Sequence, residues 1–176
     1  MYLVSIYFDE KTNKRIRGMI NEVADKTGNH FMIEGNVPPH ITVSAFETVD
    51  EKGAVAVLES AVQELRCGEL QWASVGQFFP YVIYAAPVLN AYLHHMSTQV
   101  YDSLKSLDGV KISPYYRPFQ WLPHTTIGKK LSKEEMKVAF EVLQNSFGLF
   151  DGKVVRIGLA KTNPYQEVVN WDLIES

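Results

Sequence analysis

Two short segments of this chain carry the same alternation of residue types. His40-Ile-Thr-Val-Ser-Ala-Phe46 and His124-Thr-Thr-Ile-Gly128 each set a histidine two positions before a threonine, and 84 positions separate residue 40 from residue 124 in a chain of 176. Successive side chains of a strand point to opposite faces, so each histidine shares a face with its threonine. In the first segment Ser44 joins His40 and Thr42 on that face, while Ile41, Val43 and Ala45 turn to the core. A spacing close to half the chain predicts an internal duplication packed about a pseudo-twofold axis. The expected organisation is a single bilobal domain over 1–176, with pseudo-repeat halves of approximately 1–80 and 81–176.

The flanking patterns repeat too. Tyr2 to Phe8 is β-branched and aromatic like a buried strand, and Ile16, Met19, Ile20 and Val23 then recur at helical spacing until Gly28. After the loop from Gly35 to Pro39 and the first His-x-Thr strand, Ala54, Val57, Leu58, Ala61, Val62 and Leu65 mark a second helix. Leu70 to Phe79 reads as a strand. Tyr81 to Ala86 opens the second half, followed by a helix stripe of Leu89, Leu93, Met96, Val100, Leu104 and Leu107. Beyond the second His-x-Thr strand, Ser132-Lys-Glu-Glu135 is a capping box leading a helix with Met136, Phe140, Leu143 and Phe147. Lys153 to Ala160 and Glu167 to Ile174 close the chain as strands. Each half therefore reads as β-α-β-α-β, and the fold class is α+β.

Composition limits the function. With 46% apolar and 21% charged residues, the chain has the make-up of an ordinary globular protein rather than a disordered or fibrous one. A chain of this length buries roughly 70% of its unfolded surface, so no metal or disulfide is needed to hold it. Lys and Arg number 17 against 20 Asp and Glu, a formal charge of −3. That balance argues against coating long nucleic acid through a broad basic surface but leaves a small anionic ligand open. Cys67 is the single cysteine, which excludes an internal disulfide and a cysteine-rich zinc module. The first residues do not read as a signal peptide and no apolar stretch is long enough to span a membrane, so a cytoplasmic location is expected.

The paired histidines carry the chemistry. In-line phosphoryl transfer sets the entering and departing oxygens on opposite sides of phosphorus, and a twofold axis through phosphorus exchanges those sides. Two symmetry-related imidazoles can then act as general base on one side and general acid on the other. Threonine hydroxyls can donate to the nonbridging oxygens. No metal or cofactor enters this scheme. His94 and His95 are adjacent on a helix and point about 100° apart, which reads as two solvated residues rather than a metal site.

His40-Ile-Thr-Val43 and His124-Thr-Thr-Ile127 resemble the twin H-x-T-x motifs of the 2H phosphoesterase superfamily, which includes 2′-5′ RNA ligase-like proteins and cyclic phosphodiesterases. The resemblance implies a LigT-like bilobal fold, with two antiparallel sheets lining a central groove and helices outside. It implies metal-independent chemistry on a cyclic or short phosphodiester of a nucleotide or RNA terminus, with His40 and His124 as acid and base in that order and Thr42 and Thr126 holding the phosphate. The run Gly-Asn-Val-Pro-Pro before His40 lacks the arginine or basic segment often found there in ligase-like members, so hydrolysis is expected ahead of ligation. The alternatives are 2′-5′ RNA ligase-like activity and a groove that binds a nucleotide or RNA end without cutting it. Arg117, Lys129 and Tyr115 are candidate substrate contacts, with Tyr116 and Trp121 able either to stack on a base or to pack the loop. A groove complete within one chain fits a monomer.

Overall fold

In the computed structural model, which describes residues 1–175, Asp9 ends the first strand and starts the first helix in one residue. Its carboxylate accepts from the Thr12 N–H at 2.9 Å, satisfying a donor that the helix cannot. The elements run β1 (Tyr2–Phe8), α1 (Glu10–Thr27), α2 (Phe31–Glu34), β2 (His40–Glu47), α3 (Glu51–Val62), β3 (Gly68–Phe78), β4 (Val82–Pro87), α4 (Ala91–Lys105), β5 (Lys111–Ile112), a 3-10 turn at Pro114–Tyr116, β6 (Thr125–Gly128), α5 (Lys133–Ser146), β7 (Phe150–Lys161) and β8 (Gln166–Asp172). The capping box at Ser132 and Glu135 forms as predicted. Leu89 lies outside the helix it was expected to join, because Asn90 caps α4 and leaves Leu89 exposed. Phe79 likewise falls beyond β3, at the exposed tip of the β3–β4 hairpin.

Among the described residues every strand ladder is antiparallel, in the order β5-β2-β1-β7-β3-β4-β6 with β8 also on β7. Val154 of β7 is the partner of both Phe8 in β1 and Gly68 in β3. So β1 occupies one edge of β7, and β3 and β8 divide the other. The two expected antiparallel sheets are thus lobes, β5-β2-β1-β7-β8 and β7-β3-β4-β6, hydrogen-bonded to each other through β7. Each lobe takes strands from both halves of the sequence.

Helices back the lobes in pairs. α3 packs on α4, which lies against β2, and α1 packs on α5, which lies against β4. The sheet curls between them until β2 and β6, near opposite ends of the strand order and sharing no ladder, bring Cα atoms within 8 Å of each other. That approach positions both motifs at one place.

Where β3 crosses onto β7 the core is aromatic. Trp72 is fully buried, stacked on Phe150 with centroids 5.0 Å apart and edge-on to Phe8 at 5.1 Å. Its Nε1–H donates to Thr125 Oγ1 at 3.3 Å, tying β3 to the second motif strand. Trp72→Ala removes that tie and leaves a large cavity, so it should lower unfolding free energy by about 3–5 kcal/mol in urea titration.

Candidate active site

Both motif strands are bulged at the same motif position. Val4 pairs with Ser44 and Ser5 with Thr42, leaving Val43 as the extra residue of β2; Ile83 pairs with Gly128 and Tyr84 with Thr126, leaving Ile127 as the extra residue of β6. A bulge bends the strand and re-aims the side chains around it. One consequence corrects the simple alternation. Ser44 sits opposite Val4, on the core side, and is buried with its hydroxyl unpaired among the described residues. Only His40 and Thr42 keep the outward face.

The histidines are held in matching ways. His40 Nδ1 lies 2.8 Å from the Pro38 carbonyl and His124 Nδ1 lies 2.9 Å from the Leu122 carbonyl, in each case the residue two positions earlier. A carbonyl only accepts, so Nδ1 donates in both rings and the neutral imidazole carries its lone pair on Nε2. The prolines at 38, 39 and 123 restrict the backbone that presents these carbonyls. Each ring is therefore fixed in tautomer and in direction by its own approach to the strand.

Burial is the largest influence on both rings and holds their pKa values below the ordinary histidine value, with the Pro38 and Leu122 carbonyls pulling the other way. His40 is pushed down further by the nearby charges of His124 and Lys129. The two imidazoles are thus electrostatic neighbours, and a proton on either disfavours one on the other. Thr42 is buried at the cleft, with the Tyr116 hydroxyl against its side chain. Thr126 is half-buried opposite Tyr84, while Thr125 turns the other way to meet Trp72.

The buried Trp121 joins the motifs directly: its Nε1–H donates to the Thr42 carbonyl at 3.1 Å. Trp121 thus packs the loop rather than presenting a stacking face. Lys129 is exposed at the end of β6, with its charge felt at His40. Tyr115 is exposed on the 3-10 turn. Arg117 lines a cavity of about 520 Å³ with Tyr101, Lys105, Asp108 and Lys111, and none of the four motif residues is in its wall. His94 is not a free helix residue, because its ring stacks on Phe119.

Sequence reasoning did not single out the residues that line the walls. On the second lobe, Phe78 meets the His124 ring edge-on at 4.7 Å and Tyr84 lies 5.4 Å from it. Gly76 lets Tyr84 lie flat across β3, since a side chain there would strike the tyrosine ring. On the first lobe Tyr7 pairs across the sheet with His40 and, on its other side, with Arg156, which is ion-paired to Asp172 at 2.9 Å. The Tyr7 and Tyr165 hydroxyls meet at 3.4 Å. Strand alternation alone could have placed Tyr7 beside His40 once β1–β2 pairing was assumed. Among the described residues no trio of His, Cys, Asp and Glu side chains converges as metal ligands would, and no helix is long and apolar enough to cross a membrane.

The model of the 2′-5′ RNA ligase superfamily matches residues 14–165. The crystal structure of E. coli LigT complexed with ATP aligns over 99% of this chain and 97% of LigT, with a TM-score of 0.58 and 15% identity. LigT complexed with 3′-AMP aligns over 99% and 98%, with a TM-score of 0.56 and 13% identity. A structure described as a phosphoesterase gives 99% and 98%, a TM-score of 0.58 and 14% identity. At such identities the likeness establishes a common fold. No curated protein sequence matches this chain.

The clamps have a spectroscopic signature. In long-range ¹H–¹⁵N spectra at alkaline pH, His40 and His124 should both show the Nδ1–H tautomer, and both should titrate below about 6.5.

Proposed function

This chain belongs to the 2′-5′ RNA ligase superfamily, and on that premise we propose that it is a metal-independent phosphoesterase opening a cyclic or short phosphodiester on a nucleotide or RNA terminus. The observation that carries the reading is the pair of matching Nδ1 clamps, which leave Nε2 of each ring to face a ligand, on two strands that approach within 8 Å without sharing a ladder. The members of the pair that do acid–base work must differ by one proton. The aromatic wall of Phe78 and Tyr84 stands beside His124, and a nucleoside seated on it puts the departing sugar oxygen on that side. We therefore assign His124 as acid and His40 as base, the reverse of the order the resemblance implied.

In this scheme the scissile phosphate lies between the rings. His40 Nε2 takes the proton of an attacking water as its oxygen bonds phosphorus, and His124 gives its Nε2 proton to the sugar oxygen as that P–O bond breaks. The Thr42 and Thr126 hydroxyls donate to nonbridging oxygens, and Lys129 offsets their charge. LigT has been crystallised with ATP and 3′-AMP, which supports a nucleotide as the ligand class. The aromatic wall of Phe78 and Tyr84 beside His124 suits a base.

Turnover of nucleoside 2′,3′-cyclic phosphates tests this. Either His40→Ala or His124→Ala should reduce kcat by about a hundredfold or more; undiminished turnover in the double variant ends the proposal. Below both pKa values the base is lost to protonation and above both the acid is lost to deprotonation. With both lowered, the bell of kcat/KM should centre below about 6.5. A bound phosphate anion favours imidazolium, so the limbs of kcat should lie at higher pH.

A further inference from the structure

Arg117-Pro118-Phe119-Gln120 is a tight turn closed by the Gln120 N–H on the Arg117 carbonyl at 3.0 Å. Proline stands at its second place, and Phe119 at its third has a φ of 63°, the type II pattern in which glycine or asparagine is the comfortable occupant. A bulky side chain there is a steric outlier, and such strain persists where the side chain has a use. The core makes no use of this one, since Phe119 is 82% exposed. The His94 imidazole backs it at 4.0 Å, tilted by 39°, so the phenyl is braced on that side and open to solvent elsewhere.

Two residues before it, Arg117 enters the cavity of about 520 Å³ whose wall also carries Lys105 and Lys111. Asp108 is the one carboxylate of that wall. None of the three cations forms an ion pair among the described residues. In a chain with more acidic than basic residues, three unpaired cations around one cavity are not a by-product of excess positive charge. Phe119 is not in that wall: its ring lies on His94, roughly 16 Å along α4 from Lys105, and Arg117 belongs to the same turn as Phe119. A stacking ring and a basic pocket spaced along one surface are the combination that grips single-stranded nucleic acid.

We propose that the loop before His124 carries a second binding site, for a single-stranded RNA tract, with Phe119 stacking a base and Lys105, Lys111 and Arg117 holding phosphates. The proposal rests on the preceding functional reading in that the tract ends at the reacting phosphorus. Phe119 precedes His124 by five residues, at most about 17 Å of extended chain. The same loop seats Trp121 on Thr42, so the second site is rigidly connected to the first. The substrate is then the end of an RNA chain several nucleotides long rather than a mononucleotide.

Fluorescence anisotropy of a labelled oligouridylate hexamer bearing a 3′-phosphate, in competition with uridine 3′-phosphate, reads the site without requiring turnover. The hexamer should bind at least about tenfold more tightly than the mononucleotide, as one stacked base and its phosphate contacts predict. Phe119→Gly should weaken the hexamer about fivefold or more, while its thermal midpoint holds or rises because glycine relaxes the turn. Lys105→Gln with Lys111→Gln should flatten the salt dependence of hexamer affinity by about 1.4 in log–log slope. Equal affinity for hexamer and mononucleotide overturns the proposal. So does a Phe119→Gly protein that loses both ligands equally, since the ring then only positions the loop. Hexamer binding with the predicted losses but no turnover of any cyclic phosphate would count against the phosphoesterase reading and leave this site standing.

Discussion

The buried hydrogen bond from Trp121 Nε1 to the Thr42 carbonyl holds the two motifs in one frame. β2 and β6 have no ladder between them, and along the sheet they are separated by four intervening strands. Curling of the sheet about β7 brings them together, and Trp121 fixes the loop that delivers His124 against the strand that carries His40. Removing such a bond would strand a buried carbonyl, which costs more than the bond itself contributes. The histidine pair is therefore a property of the whole sheet, although each histidine is oriented locally.

Local orientation explains why the motif has four positions. The histidine donates through Nδ1 to a carbonyl two residues back, the second residue is buried, the threonine faces the cleft, and the fourth is the extra residue of a bulge. The bulge terminates the outward face after the threonine. Without it Ser44 would stand beside Thr42 as a third hydroxyl. Burial then biases both rings toward the neutral form; under the proposed reaction the free protein holds a ready base, and a bound phosphate anion supplies the charge that keeps the acid protonated.

The alternation around His40 and His124, the helix stripes and the Ser132 box were legible in the sequence because each depends on residues within a few positions of one another. What depended on pairing was not legible. The Val43 bulge is set by register against β1, which no pattern inside β2 reveals. Phe78 and Tyr84 read as ordinary strand aromatics until β4 is paired with both β3 and β6. α2, β5 and the Pro114–Tyr116 turn are too short to show a period. Arg117 was visible as a loop cation, but its place beside Lys105 and Lys111 rather than the histidines follows from how the loop lies against the end of α4.

Two matched motifs taken alone would give symmetric chemistry, and a symmetric pair cannot choose which oxygen leaves. Direction must come from what surrounds it. The His124 side is walled by Phe78 and Tyr84, whereas the His40 side continues into Tyr7, Arg156 and Asp172, with the Tyr165 hydroxyl on Tyr7. A nucleobase gains most from the aromatic wall, while water and polar groups are better received by the other. Under the proposed reaction the nucleoside then lies on the side of His124, its sugar oxygen is the leaving group, and His124 is the ring beside it. Burial favours the neutral form in both rings alike, so it sets no direction of its own. The shape of the walls then selects the direction that the matched motifs leave open.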